Sequence, residues 1–312
     1  MRALLVMGPT ASGKSALALA LAHRLGAEIV NADSMQIYAG LRVLTARPTP
    51  AEEAQAPHHL YGTVDAAERF SVGAWVRAAT PILAEIAARG RTPIVVGGTG
   101  LYFRALTHGL VEIPEPSDTL RAELMARAEA DGPEALHAEL AARDPGVAAA
   151  LGERDAPRII RALAVHRATG VSIADWRRAT APVLAGDQWL GVALTPPRAA
   201  LYDVIDGRFS AMLADGALDE ARALAERGLD PGLPAMKAHG MPWLAAHFRG
   251  EMALAEAAEL GRRDTRRYAK RQFTWIAHQA VGWATLPTTA LDDRLAHVCA
   301  LWNGLDGNRE AN

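Results

Sequence analysis

Hydrophobic positions along the chain follow two different periods, and the changes between them mark predicted strands and helices. Four short runs are mostly apolar, which is typical of strands in a buried parallel sheet: residues 3–6, 27–32, 91–98 and 189–194. Residues 16–25 and 75–89 instead carry apolar side chains at helical spacing and are each followed by a glycine. Strands that alternate with helices predict an α/β fold in which helices flank a mostly parallel sheet.

The pattern changes between residues 117 and 186. This region consists of helical segments rich in Ala, Arg, Glu and Leu, interrupted by turn signals at 131–133, 144–146 and 169–170, and it has no strand pattern. Strand-like spacing resumes at Trp189, and the chain beyond Ala199 is mostly helical again. We therefore predict a core formed by residues 1–116 and 187–312, which ends in basic helices, with an all-helical insertion at residues 117–186.

The loop after the first strand has the most specific pattern in the chain. Residues 8–15 follow the P-loop spacing G-x-x-x-x-G-K-S between a strand and a helix. Backbone N–H groups of such a loop surround an anion, while Lys14 adds positive charge and the Ser15 hydroxyl suits Mg²⁺. The pattern predicts a P-loop NTPase-like core and a ligand that carries phosphate groups.

The residues at the ends of the second and third strands limit the reactions that the site can catalyse. An ATPase needs a carboxylate at the tip of a hydrophobic strand, but the third strand ends in Gly-Thr-Gly at residues 98–100. The second strand ends at Asp33, and the carboxyl ends of parallel strands face the ligand crevice. Asp33 is a candidate general base or a helper for the metal, with a structural turn carboxylate as the alternative. Thr99 is either a hydrogen-bonding group of the site or part of a tight turn.

Charge is balanced overall but concentrated in one segment. The 312 residues carry a formal net charge of −2, which argues against a surface that is basic throughout. Residues 262–271 nevertheless contain six cations and one anion, and they lead into Phe273 and Trp275. Such a run is typical of a surface that binds a polyanion, although a solvated helix face has the same composition.

The amino-acid composition also indicates the cellular compartment in which the protein works. A single cysteine, Cys299, excludes an intramolecular disulfide and a cysteine-based zinc site. The N-terminal apolar segment is too short for a signal peptide, and no apolar run approaches the roughly 20 residues that span a bilayer. We expect a cytoplasmic protein without a membrane partner.

Taken together, these motifs resemble those of the bacterial tRNA dimethylallyltransferases. The resemblance extends over about residues 3–283 and rests on segments 8–15, 31–38, 57–60, 97–103, 158–163 and 265–275, with Arg208, Met212 and Gly216. Members of that family transfer a dimethylallyl group from dimethylallyl diphosphate to the exocyclic N6 amine of adenosine 37, which lies 3′ of the tRNA anticodon, and release diphosphate.

The resemblance implies a role for each matching residue. The diphosphate ligands would be Gly8, Pro9, Thr10, Ala11, Ser12, Gly13, Lys14, Ser15 and Arg208, with Mg²⁺ at Ser15. The catalytic group would be Asp33, Thr99, Lys14 and Arg208, with Asp33 as the base. The tRNA would contact Asp33, Ser34, Met35, Gln36, Thr99, Arg121, Pro157, Arg158, Ile159, Ile160, Arg161, Arg266, Arg267, Lys270 and Arg271.

Three apolar residues, Met35, Leu101 and Tyr102, either line the prenyl site or belong to the core. Because the adenosine is stacked in the anticodon loop, it must be extruded to react. Both substrates can be reached by one chain, so we expect a monomer.

Two segments depart from the family pattern. Leu44-Thr45-Ala46-Arg47 stands where Gly-Thr-Ala-Lys is common, and Ala238-His239-Gly240-Met241 stands where Ala-Ile-Gly-Tyr is common. Two other functions remain open from the residues alone. One is a small-molecule kinase in which Asp33 activates a hydroxyl toward ATP, and the other is a non-enzymatic RNA-binding switch. The helical insertion and the basic run count against the kinase, because a small acceptor needs neither.

Overall fold

A computed structural model of the chain describes residues 2–111, 113–176 and 181–310. The chain forms two compact units, one built from residues 1–108 and 183–312 and the other from residues 109–182. The smaller unit therefore begins before the predicted boundary at residue 117 and ends before residue 186. Residues 177–180 of the predicted insertion lie outside the described residues.

A parallel sheet forms the centre of the larger unit. Its described strands are β1 (Ala3–Met7), β2 (Glu28–Asn31), β3 (His58–His59), β4 (Pro93–Gly97), β5 (Trp189–Leu194) and β6 (Ala284–Leu286). They are ordered β3-β2-β4-β1-β5-β6, and every neighbouring pair is parallel. The sheet confirms the predicted α/β fold, and β1, β2, β4 and β5 coincide with the four predicted runs. The edge strands β3 and β6 span two and three residues, which is too short for a recognisable period.

Helices cover both faces of the sheet. In the larger unit they are α1 (Lys14–Leu25), α2 (Pro50–Glu53), α3 (Val72–Ala88), α4 (Gly100–His108), α9 (Arg198–Ala214), α10 (Ala217–Glu226), α11 (Met241–Phe248), α12 (Leu254–Gln279) and α13 (Leu291–Glu310), with a 3₁₀ turn at Ala235–Lys237. Alternate residues of β1 enter different cores: Leu4 and Val6 pack with α1 and α13, whereas Leu5 and Met7 pack with α3 and α4. Burial on both faces explains why β1 is apolar throughout.

The smaller unit has its own core. Its helices are α5 (Asp118–Asp131), α6 (Pro133–Arg143), α7 (Pro145–Ala149) and α8 (Ala156–Thr169). Fully buried Leu124, Leu136, Leu140 and Leu163 fill the space between them. The turn signals at 131–133 and 144–146 fall at the boundaries between these helices, where Pro133 and Pro145 each begin a helix. Among the residues that the structure describes, none of the helices is both long enough and apolar enough to cross a membrane.

Candidate active site

The P-loop pattern folds into a tight loop between β1 and α1. Gly13 precedes α1 with a φ of 84°, a left-handed conformation that glycine adopts without strain. The Ser12 N–H donates to the Pro9 carbonyl at 3.2 Å. A side chain on Gly8 would bring a Cβ to 2.5 Å from Ser12 Oγ, so the loop requires glycine there as well. The N-terminus of α1 thus starts directly at the loop, an arrangement that binds anions.

Three cations from different elements meet at this loop: Lys14, Arg208 and, on α13, Arg294, whose Nη1 donates to the Ser12 carbonyl at 2.7 Å. Lys14 is 8% exposed, and its Nζ donates to the Pro9 carbonyl at 3.4 Å. Burial lowers the pKa of Lys14 to about 8, the charge of Asp33 opposes this shift, and the charge of Arg208 adds to it. Arg208, on α9, donates from Nη2 to Thr10 Oγ1, and burial lowers its pKa against the opposing charge of Asp33. Two desolvated cations beside one carboxylate make a site that favours an additional anion.

Asp33 lies directly after β2 and is 9% exposed. Its Oδ1 accepts the Met35 N–H at 3.0 Å, and its own N–H donates to Asn31 Oδ1 at 2.8 Å. Its other oxygen, Oδ2, lies 3.4 Å from the position that a Cβ on Gly98 would occupy. The carboxylate therefore stabilises a turn through one oxygen while the other lies beside the tip of β4.

Thr99 joins the tips of β2 and β4. Its Oγ1 accepts the Ser34 N–H at 2.9 Å and donates to Ser34 Oγ at 3.2 Å, while its N–H donates to the Ala32 carbonyl at 3.1 Å. The side chain of Tyr268, on α12, lies close to Thr99. Burial and the neighbouring charge of Asp33 raise the pKa of Tyr268, so its hydroxyl stays protonated.

An open cavity of about 510 Å³, including the space at its mouth, brings Asp33, Arg208 and Thr10 of the phosphate loop together, whereas Lys14 and Thr99 are not among its lining residues. It is lined by Thr10, Asp33, Met35, Leu44, Thr45, Ile205, Arg208, Phe209, Met212, His239, Thr265 and Tyr268. The cavity joins the phosphate loop to the Asp33 carboxylate, and Met35 contributes to its apolar side. Tyr102 instead stacks on Trp75 in the core with ring centroids 4.3 Å apart, and Leu101 is 47% exposed. Neither residue is among those that line the cavity.

Both segments that depart from the family pattern contribute to this cavity. Gln36 is 9% exposed and donates from Nε2 to the carbonyls of Thr45 and Ala46, each at 2.9 Å. It therefore holds the 44–47 loop in place. His239 packs against Tyr268 with ring centroids 4.5 Å apart. Burial lowers the pKa of His239 against the opposing charge of Asp33, so the imidazole is neutral at pH 7.

The basic run lies on α12, and its cations fall into two groups. Arg266 donates to both carboxylate oxygens of Asp206 at 2.6 Å and to Glu259 at 2.9 Å, so acids within the protein compensate its charge. The side chain of Arg267 is 62% exposed, and Lys270 and Arg271 are exposed as well. The exposed cations form a surface suited to a polyanion, whereas Arg266 fits the interpretation of a paired helix face.

The smaller unit holds the remaining predicted contacts. Pro157 and Arg158 are exposed at the start of α8, and Ile160 is half-buried. The side chain of Ile159 is fully buried in the core of this unit and does not face solvent. Burial lowers the pKa of Arg161, and the nearby charge of Arg121 lowers it further. Arg121 and Arg161 thus form a pair of like charges that an anion would stabilise.

Several lining residues were missed by sequence reasoning. His239, Tyr268 and Phe209 lie far from the phosphate loop in sequence and reach the cavity only through the packing of α9, α11 and α12. Gln272 lies in segment 265–275, which carries part of the resemblance, but the sequence predicts no role for it. Its side chain contacts the phosphate loop, because its Oε1 accepts the Thr10 N–H at 2.8 Å. The specificity of that segment was the available signal.

A magnesium ion is compatible with the donors at the loop. The described part of the chain contains no cluster of three or more His, Cys, Asp or Glu residues that could hold a metal. Mg²⁺ needs no such cluster where it is bound by one or two side chains, phosphate oxygens and water. Ser15 lies exposed in the first turn of α1, within the loop that would hold those phosphate oxygens.

A P-loop after the first strand of a parallel sheet, with buried cations around it and a carboxylate across the same cavity, defines an α/β protein of the P-loop class. Comparison with known proteins then identifies the family. The IPP transferase model matches residues 36–279, and an isopentenyl transferase model matches residues 1–62. The chain belongs to the IPP transferase family, which confirms the resemblance.

Individual relatives agree with this assignment. The chain is 59% identical over 278 residues to a tRNA dimethylallyltransferase of Rhodopseudomonas palustris, covering 89% of this chain and 87% of the relative. It is 50% identical over 305 residues to one of Hyphomonas neptunium, covering 97% and 96%. The structure matches the full-length tRNA isopentenylpyrophosphate transferase of Bacillus halodurans with a TM-score of 0.72 and 34% identity, over 99% of this chain and 98% of that one. A eukaryotic dimethylallyltransferase acting on tRNA matches with a TM-score of 0.80 and 26% identity, over 98% and 80%.

Proposed function

We propose that this protein transfers a dimethylallyl group from dimethylallyl diphosphate to the N6 amine of adenosine 37 in tRNA and releases diphosphate. The proposal is supported by relatives that are named for this activity. The observation that carries it is that Asp33, Arg208 and Thr10 of the phosphate loop line one cavity. A kinase fits less well, because family membership and the exposed cations of α12 favour an RNA acceptor.

In this reaction the phosphate loop holds the leaving group. Backbone N–H groups of residues 13–15 at the start of α1, the Lys14 ammonium and the Arg208 guanidinium stabilise the charge that develops on the diphosphate as the allylic C–O bond breaks. The lowered pKa values of both cations reflect burial that a bound anion would offset. Mg²⁺ held by Ser15 and the phosphate oxygens would neutralise further leaving-group charge.

Asp33 acts on the acceptor side. The N6 electron pair forms the new N–C bond at the allylic carbon, the electrons of the breaking C–O bond pass to diphosphate, and one N6 proton moves to the Asp33 carboxylate. An aryl amine is a weak nucleophile, so a fixed carboxylate that orients the N–H accelerates the step. Hydrogen bonds to Met35 and Asn31 hold Asp33 in place for this role. Thr99 links the two strand tips beside it.

The walls of the cavity suit the two organic parts of the substrates. Met35, Leu44, Ile205, Phe209 and Met212 give an apolar surface for a five-carbon prenyl chain. The rings of His239 and Tyr268, tilted by 41° to each other, provide aromatic faces against which an extruded adenine can pack. Ser34 and Gln36 lie in the segment after Asp33 and would shape the adenosine side of the pocket.

The macromolecular partner is the tRNA anticodon stem-loop. Arg267, Lys270 and Arg271 would contact its phosphates from the larger unit, and Arg121, Arg158 and Arg161 from the smaller unit. Because each phosphate contact releases counterions, binding should weaken as salt concentration rises. A tRNA substrate implies a cytoplasmic protein, and all proposed contacts belong to one chain, as in a monomer.

The test uses purified protein with Mg²⁺, dimethylallyl diphosphate and an anticodon stem-loop that carries the target adenosine. Mass spectrometry should show a gain of one dimethylallyl group on the RNA. Asp33→Asn keeps the oxygen that accepts the Met35 N–H, so the turn should persist while transfer falls by about 10²–10⁴-fold. RNA affinity should change little, and the exposed Asp230→Asn is the control. ATP turnover without prenylated RNA would refute the proposal in favour of the kinase.

A further inference from the structure

Gln272 is a buried amide for which the proposed chemistry has no role. It lies on α12, is 3% exposed, and makes two hydrogen bonds to backbone groups. Its Oε1 accepts the Thr10 N–H at 2.8 Å, and its Nε2 donates to the Gly98 carbonyl at 3.0 Å. A buried glutamine that is satisfied at both ends fixes the separation of the two segments it joins.

These two segments hold opposite halves of the proposed reaction. Thr10 belongs to the phosphate loop, where the leaving group would bind. Gly98 precedes Thr99 at the tip of β4 and lies beside the Asp33 carboxylate, where the acceptor amine would bind. A direct contact between the strands at this end is long, with the Gly8 N–H at 3.4 Å from the Gly97 carbonyl. Gln272 joins the segments where the two strands end.

The contact between Gln272 and Gly98 requires a residue without a side chain at position 98. A Cβ at position 98 would lie 2.0 Å from Gln272 Nε2, so only glycine lets the amide reach the carbonyl. On the other side, Arg208 donates to the Thr10 side chain while Gln272 accepts from the Thr10 backbone. Thr10 is thus held by two helices, α9 and α12.

We propose that Gln272 is a positioning residue that sets the distance between the diphosphate site and the Asp33 base. The inference rests on the proposed function. Reacting atoms must approach to about 3–3.5 Å, and a displacement of about 1 Å can cost 100-fold in rate. A side chain that holds both loops controls this distance without touching either substrate.

The position of Gln272 on α12 also links RNA binding to the site. Thr265, Tyr268 and Gln272 lie on the side of the helix that faces the cavity and the loops, whereas Arg267, Lys270 and Arg271 are exposed. The surface that would hold the RNA and the amide that holds the loops therefore belong to one rigid helix.

The Gln272→Glu variant tests this role. An ionised glutamate accepts the Thr10 N–H but cannot donate to Gly98, and its second oxygen repels that carbonyl. At pH 8 we expect kcat to fall by about 10–100-fold, with the dissociation constant of the stem-loop within about threefold of wild type. Gln279→Glu, on the exposed end of the same helix, is the matched control and should keep wild-type kcat.

The pH profile separates positioning from a loss of packing. A protonated glutamate has one acceptor and one donor, as glutamine does, so the variant should regain activity relative to wild type as the pH falls from 8 to 5.5. The charged groups around the two loops are Lys14, Asp33, Arg208 and Arg294, whose Nη1 donates to the Ser12 carbonyl at 2.7 Å, and the titratable Tyr268 and His239 lie beside Asp33. All of these groups are present in both proteins. The ratio of the two rates therefore reports the added carboxyl group.

The outcomes are distinct. Wild-type kcat in Gln272→Glu at pH 8, or a rate deficit that stays constant with pH, would overturn the positioning role. If circular dichroism shows that Gln272→Glu does not fold, the Gln272→Asn variant is used in its place. The asparagine side chain is one methylene too short to join both loops, so Gln272→Asn should also lower kcat while the affinity for the stem-loop stays unchanged. A wild-type protein that prenylates no RNA would refute the proposed function itself, whatever the variants do.

Discussion

Replacing Lys14 with methionine should stabilise the free protein while abolishing its response to pyrophosphate. Lys14 is 8% exposed, and burial lowers its pKa to about 8 from 10.5. At pH 7 the folded protein therefore holds a charge in an environment that disfavours it. Methionine has a similar length and carries no charge, so Lys14→Met removes the electrostatic cost and also removes the cation that an anion would need.

The magnitude follows from the pKa difference. A lysine pKa that falls from 10.5 to about 8 on folding corresponds to about 3 kcal/mol of destabilisation at neutral pH. A volume-conserving core substitution costs less than about 1.5 kcal/mol. The free energy of unfolding should therefore rise by about 1–3 kcal/mol in Lys14→Met. Pyrophosphate at 100 times its dissociation constant should stabilise the wild type by about 2.7 kcal/mol and leave the variant unchanged.

Urea unfolding followed by tryptophan fluorescence measures both quantities, with and without Mg²⁺ and pyrophosphate. The pH dependence has a definite sign. Between pH 8 and 10.5 the unfolded wild type binds more protons at Lys14 than the folded protein does, so wild-type stability rises with pH. The advantage of Lys14→Met should therefore disappear toward pH 10.5. Lys237→Met, at an exposed lysine, should match wild type at every pH.

Two results would refute this reasoning. One is a Lys14→Met protein that is less stable than wild type at pH 7 by an amount that does not depend on pH. The other is equal stabilisation of both proteins by pyrophosphate, which would mean that the anion binds away from the P-loop.

Two further perturbations test the sheet that carries the site. Glu28 is buried and accepts hydrogen bonds from Arg89 at 2.8 Å and His59 at 2.7 Å. Burial alone would raise the pKa of Glu28, but the hydrogen bonds outweigh the effect of burial and lower this pKa. Glu28→Gln should therefore lower the free energy of unfolding by about 1–3 kcal/mol at pH 7. The difference from wild type should shrink as the pH falls below 4.5, because Glu28 is then protonated in the wild type as well. A difference in stability that does not depend on pH would contradict the role of the Glu28 charge. Gly97→Ala would place a Cβ 2.1 Å from the Ala32 backbone and should cost about 2–3 kcal/mol in thermal or urea unfolding. The control Gly186→Ala has open space around it and should be nearly neutral.

Local patterns predicted the centre of the fold. The strands β1, β2, β4 and β5 are recognisable because burial on both faces makes their sequences mostly apolar. The P-loop is recognisable because its function depends on eight consecutive residues. Both features arise from interactions among residues that are close in sequence or share one environment, so the sequence carries them directly.

Features that depend on distant partners were not predictable. The hydrogen bond between Thr10 and Gln272 joins residues 262 positions apart, and only the packing of α12 brings them together. The basic run gave the number of cations but not their partners: Arg266 is paired with Asp206, 60 positions away, whereas Arg267 is largely exposed. Charge composition thus predicted a basic helix without showing which of its residues are available to RNA.

The charges around the phosphate loop also connect the two halves of the proposed reaction. Asp33 opposes the lowering of the pKa of both Lys14 and Arg208, which means that its carboxylate stabilises the same two cations that a diphosphate would contact. Before transfer, Asp33 and the substrate diphosphate therefore compete for this positive charge. In the proposed reaction Asp33 would accept the N6 proton, and its negative charge would be neutralised at the moment when the leaving diphosphate becomes more negative. The proton transfer would thus strengthen the hold of Lys14 and Arg208 on the leaving group in the step that requires it.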